Sequence, residues 1–351
     1  EPALFGYAAG KVIESYYDYF LNFGSRVAAH FHEWMTGSGI LYLESNAPQI
    51  ARVFTTHATV LGRSIAGNGL NLYDDMEVYN PEVVSTQFNL RSKYSLEKKA
   101  AENAHVFTTV SEVTARECAV FIGKRPDMIT PNGFDDTLVP KGKSYQTIRE
   151  KARKKMISVA AALSGKDLKD DTFITITSGR YEYRNKGLDI YLETLKTLKP
   201  QIEQGKNVLA FITIPTAHFG PDVNLVKRLE GKTTEITDAR LTHNLIDYDQ
   251  DPIIKFCNQH GLNNLGGSGL TVVFVPAYLK GDDGIFNMDY YELLMGCDLS
   301  VFPSYYEPWG YTPLESLAFA IPTVTTNLAG FGKWVQKEAK SLYGGVTVLE
   351  R

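Results

Sequence analysis

Two glutamates, Glu307 and Glu315, stand in the segment SYYEPWGYTPLES, which runs from Ser304 to Ser316. The segment follows an apolar run, Leu299–Pro303, that is typical of a buried strand, and it leads into a helical stretch. In open parallel sheets, ligands bind outside the carboxyl ends of the strands, and the start of a helix offers free N–H groups to a phosphate. The segment therefore predicts a binding site for a phosphorylated ligand.

Each of the two glutamates has an interpretation that competes with a role in ligand binding. The stretch TPLE has the sequence of a capping box, with Thr312 as N-cap, Pro313 as first helical residue and Glu315 bonding back to the N-cap. Glu315 therefore has two possible roles, one in capping the helix and one in binding the ligand. Glu307 stands near Trp309 in an aromatic cluster, which favours a sugar-sized pocket over an isolated surface carboxylate.

A second polar segment, Gly179–Gly187, follows the apolar run Phe173–Thr177. It contains two arginines and a lysine, and Arg180 and Lys186 stand near its two ends. Arginine binds phosphate through paired hydrogen bonds and lysine acts as a point charge, so this strand end is suited to an anion. The alternative is a solvated basic loop whose charge is paired with Glu182.

Histidines accompany two further apolar runs. His30 and His32 alternate in HFHEW, so they share one face if this segment is a strand, and His57 follows the run Arg52–Thr56. The pattern is not a helical zinc motif and lacks an evident third ligand, so a sugar-binding or structural role is favoured over a metal site. A core role is the alternative for His57, but polar groups after several strands favour a place in the site.

The elements that must position these groups alternate between strands and helices. We predict strands at Arg26–Phe31, Arg52–Thr56, His105–Val110, Phe173–Thr177, Val208–Ile214, Thr271–Val275, Leu299–Pro303 and Thr323–Thr325. We predict helices at Ala3–Phe20, Leu96–Ala104, Glu112–Ile122 and Leu188–Leu198, with Ser111 as an N-cap. Most of the strands are continuously apolar, which is typical of strands buried on both faces of a parallel sheet. The pattern predicts an α/β protein.

The composition is that of an ordinary globular protein, with 44% hydrophobic and 22% charged residues, and a length of 351 residues suits two domains. The net charge of -4 provides no basic field, so we expect no nucleic-acid or membrane partner. Three widely spaced cysteines form neither a zinc pattern nor a disulfide framework. With no apolar run long enough to cross a membrane, these features favour a reducing, cytoplasmic setting.

Two polar stretches interrupt the alternating pattern. Asp135–Asp171 is rich in Lys, Ser, Gly and Asp, and we interpret it as the crossing between two domains, with one basic helix. Pro221–Gly267 is expected to form loops and short helices on the second domain. Within it, Asp247–Asp251 imitates a carboxylate metal site but lacks the glycine and distal glutamate of a calcium loop, so we expect a solvated loop.

Seven segments, in order along the chain, resemble the glycogen synthase family, in particular the eukaryotic-type branch that uses UDP-glucose. They are HFHEW at His30–Trp34, FTTHATVLGR at Phe54–Arg63, HVFTTVS at His105–Ser111, TPNG at Thr130–Gly133, GRYEYRNKG at Gly179–Gly187, FPSYYEPWGYTPLES at Phe302–Ser316 and TTNLAGFG at Thr325–Gly332. The resemblance implies a GT-B fold, in which two Rossmann-like domains with parallel sheets face a cleft. It also implies transfer of glucose to the 4-hydroxyl of an α-1,4-glucan with retention of configuration, without metal or other cofactor.

The resemblance also implies roles for basic residues. Arg180 and Lys186 match the pair that holds the nucleotide pyrophosphate, where they stabilise the departing diphosphate. His57 matches the histidine that contacts the donor glucose beside the reacting centre, and Arg63 matches a contact to the donor phosphate. Asn132 is expected to line the donor site.

The remaining expected residues lie in the segment that contains the two glutamates. Glu307 matches the family glutamate that contacts the donor glucose, and Glu315 matches the one that contacts the ribose. The phosphate-binding start of the following helix matches Trp309, Gly310, Tyr311 and Thr312. The expected catalytic residues are thus His57, Arg180, Lys186 and Glu307, although Glu307 is not expected to act as a nucleophile, because the family's front-face mechanism depends on orientation and leaving-group stabilisation.

The chain also departs from the family pattern. The family's first strand and its Lys-x-Gly-Gly loop are not found before His30, and the C-terminal crossover helices and the arginine-rich regulatory helix have no counterpart. We therefore expect a smaller prokaryotic relative and an incomplete chain. Its predicted segments are residues 1–135 as an acceptor-side Rossmann-like domain without its first strand, 136–170 as a linker, and 171–351 as the nucleotide-sugar domain.

Two other functions remain open. One is a related GT-B transferase of the sucrose or trehalose-phosphate synthase type, and the other is a non-catalytic glucan-binding protein of the same fold. The sequence also leaves open the choice between UDP-glucose and ADP-glucose, the acceptor length, homo-oligomer formation and control by glucose-6-phosphate.

Overall fold

A computed structural model describes residues 1–21, 24–338 and 344–351 of the chain. The chain forms two compact units. Unit 1 contains Glu1–Gly133, Tyr306–Gly310 and residues 328–338, and unit 2 contains Phe134–Tyr305, Tyr311–Asn327 and residues 344–351. Among the described helices, none is long and apolar enough to span a bilayer.

The helices and strands are numbered in chain order. The helices are α1 Pro2–Phe20, α2 Gly37–Asn46, α3 Val60–Gly67, α4 Pro81–Gln87, α5 Arg91–Asn103, α6 Glu112–Glu117, α7 Lys143–Ser164, α8 Leu188–Leu198, α9 Val223–Leu229, α10 Pro252–Gln259, α11 Tyr290–Met295, α12 Tyr311–Ala318 and α13 Gly330–Glu338. The strands are β1 Ala28–His32, β2 Ala51–Thr56, β3 Val106–Thr109, β4 Met128–Ile129, β5 Phe173–Ser178, β6 Val208–Thr213, β7 His218–Pro221, β8 His243–Leu245, β9 Leu270–Val275, β10 Leu299–Val301, β11 Thr323–Thr326 and β12 Val346–Leu349.

Unit 1 contains a parallel four-stranded sheet in the order β1-β2-β3-β4. Its core includes Phe54 and Phe107, neighbours on β2 and β3 whose rings stack at 5.9 Å. The side-chain hydroxyl of Ser111 accepts the N–H of Thr114 at the start of α6, which confirms the predicted N-cap. Thr59 caps α3 in the same way by accepting the N–H of Gly62.

Unit 2 contains a parallel six-stranded sheet in the order β12-β11-β10-β5-β6-β9 and a separate antiparallel pair, β7-β8. Neighbouring residues of one strand enter two different hydrophobic clusters: Phe211 of β6 packs in one, and Ile212 packs in the other. Because successive side chains point to opposite faces, both faces of this sheet are buried. Burial on both faces explains why the sequences of these strands are continuously apolar.

The structure confirms the eight predicted strands with end shifts of a few residues, and it adds β4, β7, β8 and β12. The predicted helix Glu112–Ile122 is divided, because α6 passes into a π-helical turn at Cys118–Ile122. The predicted basic helix is α7. The predicted domain boundaries stay a prediction.

Two local predictions are wrong. Helix α12 begins at Tyr311, so Thr312 lies in its first turn and is not the N-cap, whereas Gly310 precedes the helix with a φ of 112°. The acidic stretch is not wholly solvated either, since Asp251 is buried and caps α10 by accepting the N–H groups of Ile253 and Ile254. Helix capping, rather than metal binding, accounts for this carboxylate.

Candidate active site

The large sheet of unit 2 reverses its strand order between β5 and β10. Numbered along the chain, its six strands lie in the spatial order 6-5-4-1-2-3, with β5 first and β10 fourth. This is the order of a nucleotide-binding doubly wound sheet, whose ligands bind outside the carboxyl ends of the strands at the point of reversal. Gly179–Gly187 follows β5 and Ser304–Ser316 begins shortly after β10, so both predicted segments start at this position.

The backbone of the Gly179–Gly187 loop packs closely against the chain that follows β10. Gly187 has a φ of 67°, and a Cβ atom at this position would lie 2.0 Å from the carbonyl oxygen of Pro303. The N–H of Tyr305 donates to the carbonyl of Asn185 at 2.9 Å. These contacts fix Lys186, which lies between Asn185 and Gly187, beside the end of β10.

Lys186 and Arg180 are held differently. The Lys186 side chain runs along the Cα of Gly179, where an added Cβ would meet its Cγ, Cδ and Cε atoms at 3.5 to 3.9 Å. Arg180 is exposed, and its guanidinium forms a salt bridge of 2.9 Å with Glu182. The Glu182 carboxylate also accepts the side-chain amide of Asn185. In this loop, Arg180 is therefore paired with a carboxylate of the same loop, and the aliphatic stem of Lys186 is packed on Gly179.

Glu315 is the fifth of the eight residues of α12, also in unit 2. Its carboxylate accepts a hydrogen bond of 3.0 Å from the phenol of Tyr291. Burial raises the pKa of Glu315, and the hydrogen bond from Tyr291 opposes part of that shift. Thr312 and Tyr311, at the start of the same helix, are half-buried and exposed respectively.

Unit 1 brings the three predicted histidines together. The rings of His32 and His57 share a hydrogen bond of 3.0 Å between Nδ1 and Nε2. The ring of His30 packs against that of His32 at a tilt of 32° with centroids 4.1 Å apart, and the His30 Nε2 lies 2.7 Å from the hydroxyl of Thr55. Burial lowers the pKa of His57, and the neighbouring His30 adds to this effect, which favours the neutral ring.

Glu33 fixes the backbone beside His57. Its carboxylate accepts the N–H of His57 at 3.0 Å, and its own backbone has a φ of 67°, which is unusual for a residue with a side chain. Burial raises the pKa of Glu33, whereas the N–H groups of His57 and Ala58 and the charge of Arg63 lower it. Arg63 itself is exposed on α3.

The remaining part of the glutamate segment lies in unit 1. Glu307 is half-buried and pairs with Ala329 in a short parallel bridge, and the Gly330 N–H donates to the Glu307 carbonyl. Its neighbour Tyr306 stacks on Tyr73 with centroids 6.4 Å apart. Both predicted glutamates are thus held by local contacts, Glu307 in unit 1 and Glu315 in unit 2.

Buried polar atoms in this segment lack partners. Of the nine buried side-chain polar atoms without a hydrogen bond in the described part of the chain, three belong to Tyr306, Trp309 and Ser316. A buried polar group without a partner is costly, so each of these atoms, two in unit 1 and one in unit 2, is suited to a further hydrogen-bond partner. The indole of Trp309 also lines a small pocket in unit 1 with Ser111, Pro131 and Trp334.

The predicted donor-site residue Asn132 lies in unit 1. Asn132 is half-buried in a stretch without regular secondary structure after β4, next to Pro131 of that pocket. Within the described ranges, no group of three or more His, Cys, Asp or Glu residues is arranged to hold a metal ion. The histidine cluster is therefore joined by ring contacts and hydrogen bonds.

Four residues that support the predicted site residues were not predicted from the sequence. They are Tyr73, Glu97 and Glu117 in unit 1 and Tyr291 in unit 2. Glu97 is fully buried among Tyr94, Ala100 and Ala101, the apolar positions of α5. A charged residue in an apolar helical stripe is a signal of a buried polar contact. The loop residue Tyr73 offers no comparable pattern.

Comparison with protein families gives a match to glycogen synthase over residues 1–233 and 222–351. The chain is 33% identical to the liver glycogen [starch] synthase of Mus musculus, over 93% of this chain and 54% of the relative. It is 30% identical to the glycogen [starch] synthase of Caenorhabditis elegans, over 100% of this chain and 61% of the relative. The chain therefore spans little more than half the length of these relatives.

Solved structures share the fold at low sequence identity. The catalytic domain of starch synthase IV from Arabidopsis thaliana, bound to ADP and acarbose, matches 100% of this chain and 66% of its own with a TM-score of 0.53 and 14% identity. Sucrose-phosphate synthase from Thermosynechococcus elongatus matches 97% of this chain and 64% of its own, with a TM-score of 0.51 and 16% identity. These likenesses confirm the predicted fold class, α/β with parallel sheets of the GT-B type.

Proposed function

The chain belongs to the glycogen synthase family, and we propose that the protein transfers glucose from UDP-glucose to the 4-hydroxyl of an α-1,4-glucan with retention of configuration. The observation that carries this proposal is the strand reversal between β5 and β10, with Lys186 fixed beside it. A cation held at the carboxyl ends of these strands suits the diphosphate of a nucleotide sugar.

Charge stabilisation of the leaving group is the main chemical task of the unit 2 residues. Breaking the bond between the sugar and the phosphate leaves negative charge on the departing diphosphate. Lys186 and Arg180 would neutralise this charge, Arg180 after leaving Glu182, its present counter-ion. The start of α12, which follows Gly310 with its φ of 112°, would add N–H groups and the positive end of the helix dipole. Positive groups placed in advance cost little reorganisation when the charge develops.

Donor recognition would use groups from both units. In unit 1, His57 in its neutral form would hydrogen-bond the donor glucose, Glu307 would contact the same sugar, and Arg63 would contact the phosphate. In unit 2, the Glu315 carboxylate would accept a hydrogen bond from the ribose. The site requires no metal ion in this account, because Arg180, Lys186 and Arg63 supply the positive charge.

The nucleotide base and the acceptor are the finer parts of the proposal. Starch synthase IV, which shares the fold, was solved with ADP, so ADP-glucose is the alternative donor. Sucrose-phosphate synthase also shares the fold, so a small sugar phosphate is the alternative acceptor. The long motifs of the glycogen synthase type favour UDP-glucose and a glucan.

A competition assay with the full-length protein tests both choices. Labelled UDP-glucose and ADP-glucose would each be offered with glycogen, fructose-6-phosphate or glucose-6-phosphate as acceptor. We expect faster transfer from UDP-glucose and label only in glycogen. Label in a small disaccharide product would instead support a sucrose or trehalose-phosphate synthase, and binding of glycogen without transfer would support a non-catalytic glucan-binding protein.

A further inference from the structure

Two fully buried glutamates lie beneath the start of α3 in unit 1. Glu97, on α5, is 1% exposed, and Glu117, at the end of α6, is 0% exposed. Buried carboxylates are rare because desolvation disfavours the charged form, so each needs a reason to be retained. None of the roles proposed above uses either residue.

Glu117 is bound to the first turn of α3. Its Oε2 atom accepts a hydrogen bond of 2.6 Å from the hydroxyl of Thr59, the N-cap residue, which in turn accepts the N–H of Gly62. The carboxylate packs so closely on Gly62 that an added Cβ would lie 2.1 Å from Oε2. Burial raises the pKa of Glu117, whereas the hydrogen bonds from Thr59 and Tyr73 and the charge of Arg63, the residue after Gly62, lower it.

The other oxygen of Glu117 is bound to a different segment. Oε1 accepts a hydrogen bond of 3.2 Å from the phenol of Tyr73, whose ring stacks on Tyr306. Tyr306 directly precedes Glu307, the proposed glucose contact. One carboxylate therefore joins the α3 segment that contains Arg63 to the segment that contains Glu307.

Glu97 holds the same turn from the other side. Its Oε1 accepts the hydroxyl of Thr56 at 2.7 Å, and its Oε2 accepts the N–H of Val60 at 3.0 Å. Thr56 and Val60 flank His57, Ala58 and Thr59. The stretch that presents His57 and Arg63 is thus hydrogen-bonded to two buried carboxyl groups from two helices.

We propose that Glu117 is a positioning residue that aims Arg63 at the donor phosphate through the first turn of α3. This inference rests on the proposed function, because it assigns Glu117 a role in donor turnover. A carboxyl group suits the role, since its two oxygens can accept from Thr59 and Tyr73 at the same time. A purely structural carboxyl would stabilise unit 1 but would have no specific coupling to Arg63.

Variants of the full-length protein separate these two roles. Glu117→Ala removes both hydrogen bonds, and we expect kcat/KM for UDP-glucose to fall about tenfold to a hundredfold, the effect of a small misplacement of a catalytic contact. Glu117→Gln should recover most of this loss, because its carbonyl can accept from Thr59 while its amide donates to the Tyr73 oxygen. Leu43→Ala, in a separate buried cluster of unit 1, is the control for lost stability and should lower the melting temperature without this loss of turnover.

A double-mutant cycle with Arg63→Ala gives the decisive result. If Glu117 acts through Arg63, Glu117→Ala in the Arg63→Ala background should cost less than about threefold further in kcat/KM, since the contact is already absent. The same fold-loss in both backgrounds, or an equal loss in Leu43→Ala, would overturn the positioning role. If Glu117→Ala does not fold, Thr59→Val, which removes only the bonding hydroxyl, takes its place in the cycle, with Thr59→Ser as its control.

The wild-type rate separates failure of this inference from failure of the proposed function. Absence of glucose transfer by the wild-type protein would overturn both. Wild-type transfer together with an additive cycle would overturn the role of Glu117 alone and leave the proposed function standing.

Discussion

The side chains of the two predicted phosphate-binding residues, Lys186 and Arg180, are held in different ways. The Lys186 stem lies along Gly179 and its backbone is fixed against β10, whereas Arg180 is exposed and paired with Glu182. A cation whose stem is held by packing can keep its place when negative charge develops nearby, whereas the exposed Arg180 must turn from Glu182 toward the ligand. We therefore expect Lys186 to contribute to the chemical step and Arg180 to contribute more to donor capture.

Alanine substitution tests this division of roles. In the full-length protein, Arg180→Ala and Lys186→Ala should each reduce donor turnover by at least about a hundredfold, as when other groups that stabilise transition-state charge are removed. Lys186→Ala should act mainly on kcat, and Arg180→Ala should also raise the KM for the donor. The melting temperature should change little, because neither residue belongs to the hydrophobic core.

The matched control is Lys196→Ala, which removes a partly exposed lysine of α8 whose salt bridge is to Glu193 of the same helix. Its steady-state kinetics should resemble those of the wild type. Near-normal turnover in both Arg180→Ala and Lys186→Ala would contradict the assignment of the pyrophosphate site.

Glu315 can be separated from a purely structural glutamate by isosteric substitution. Its carboxylate accepts from Tyr291, and α12 begins at Tyr311, so the predicted capping box does not explain it. Glu315→Gln should keep the bond from Tyr291 and the normal melting temperature, but calorimetry should show several-fold weaker donor binding, because a charge-assisted bond is lost. Glu315→Ala should lose both stability and binding. Normal donor binding in Glu315→Gln, with only earlier melting in Glu315→Ala, would make the residue structural.

Among the elements, the approach of the Gly179–Gly187 loop to the end of β10 is the feature that fixes the unit 2 site. Gly187 is required twice, because its φ of 67° is left-handed and because a side chain would strike the Pro303 carbonyl. A substitution here should move the loop that presents Lys186. The site is therefore sensitive to a residue that contacts no substrate.

Gly187→Ala tests this sensitivity, and Gly165→Ala is its control. Gly165 has a similar φ of 70°, but the nearest atom to an added Cβ lies 3.9 Å away. Gly165→Ala should cost about 1 to 2 kcal/mol of unfolding free energy, the strain of the left-handed backbone alone, and leave turnover unchanged. Gly187→Ala should cost more and also reduce kcat. Equal stability and normal turnover in the two variants would contradict the role of this contact.

The packing of α5 against the start of α3 predicts a pH dependence of stability. The pKa of Glu97 is raised to about 8, mainly by burial; bonds from Thr56 and the Val60 N–H oppose this shift, and the charges of Glu33 and Glu117 add to it. The unfolded chain releases this proton near the ordinary carboxyl pKa, so the folded state binds more protons between the two values. The contribution of Glu97 to the unfolding free energy is therefore full at acidic pH and falls as the pH rises toward about 8.

Denaturant unfolding at a series of pH values measures this dependence. Glu97→Gln cannot ionise, so it should lose less stability than the wild type between about pH 5 and pH 9. Glu102→Gln, at an exposed position of the same helix, should follow the wild-type curve. A wild-type slope that is unchanged in Glu97→Gln would show that this carboxyl does not set the pH dependence.

The central strands of the sheets were predicted from the sequence, whereas the edge strands β4 and β12 were not. Phe173–Thr177 and Val208–Ile214 are apolar because both faces of β5 and β6 are buried. Strands β4 and β12 lie at sheet edges; β4 has two residues, and β12 alternates half-buried and exposed positions, so neither forms an apolar run. Helix α12 begins at Tyr311, two residues before the predicted first helical residue Pro313, because local sequence does not determine where the chain first turns after Gly310.

The candidate site was predictable to the extent that its residues stand in distinctive motifs. His57, Arg180, Lys186 and Glu307 follow strands, where polar residues are conspicuous. The contacts that hold them were not predictable, since Glu97 and Glu117 meet α3 from positions 37 and 58 residues away along the chain from their partners. Such pairs depend on tertiary packing, which no local pattern encodes.

At the scale of the whole molecule, the family is established over the entire chain, while the chain covers 54% and 61% of the mouse and nematode relatives. The activity proposed here therefore belongs to the full-length protein, and tests of catalysis require it. Unit 2 contains the nucleotide-binding strand order, and unit 1 contains the histidine cluster and the buried glutamates. The account requires both units to take part in glucose transfer.

Incorporation of label from UDP-glucose into glycogen tests this requirement most directly. The full-length protein would be incubated with UDP-[14C]glucose and glycogen, and the precipitated polymer would be digested with β-amylase. The account predicts label in the polymer, its release as maltose from newly added α-1,4-linked ends, and loss of incorporation in both Lys186→Ala and His57→Ala. An unlabelled polymer, or wild-type incorporation in either variant, would contradict it.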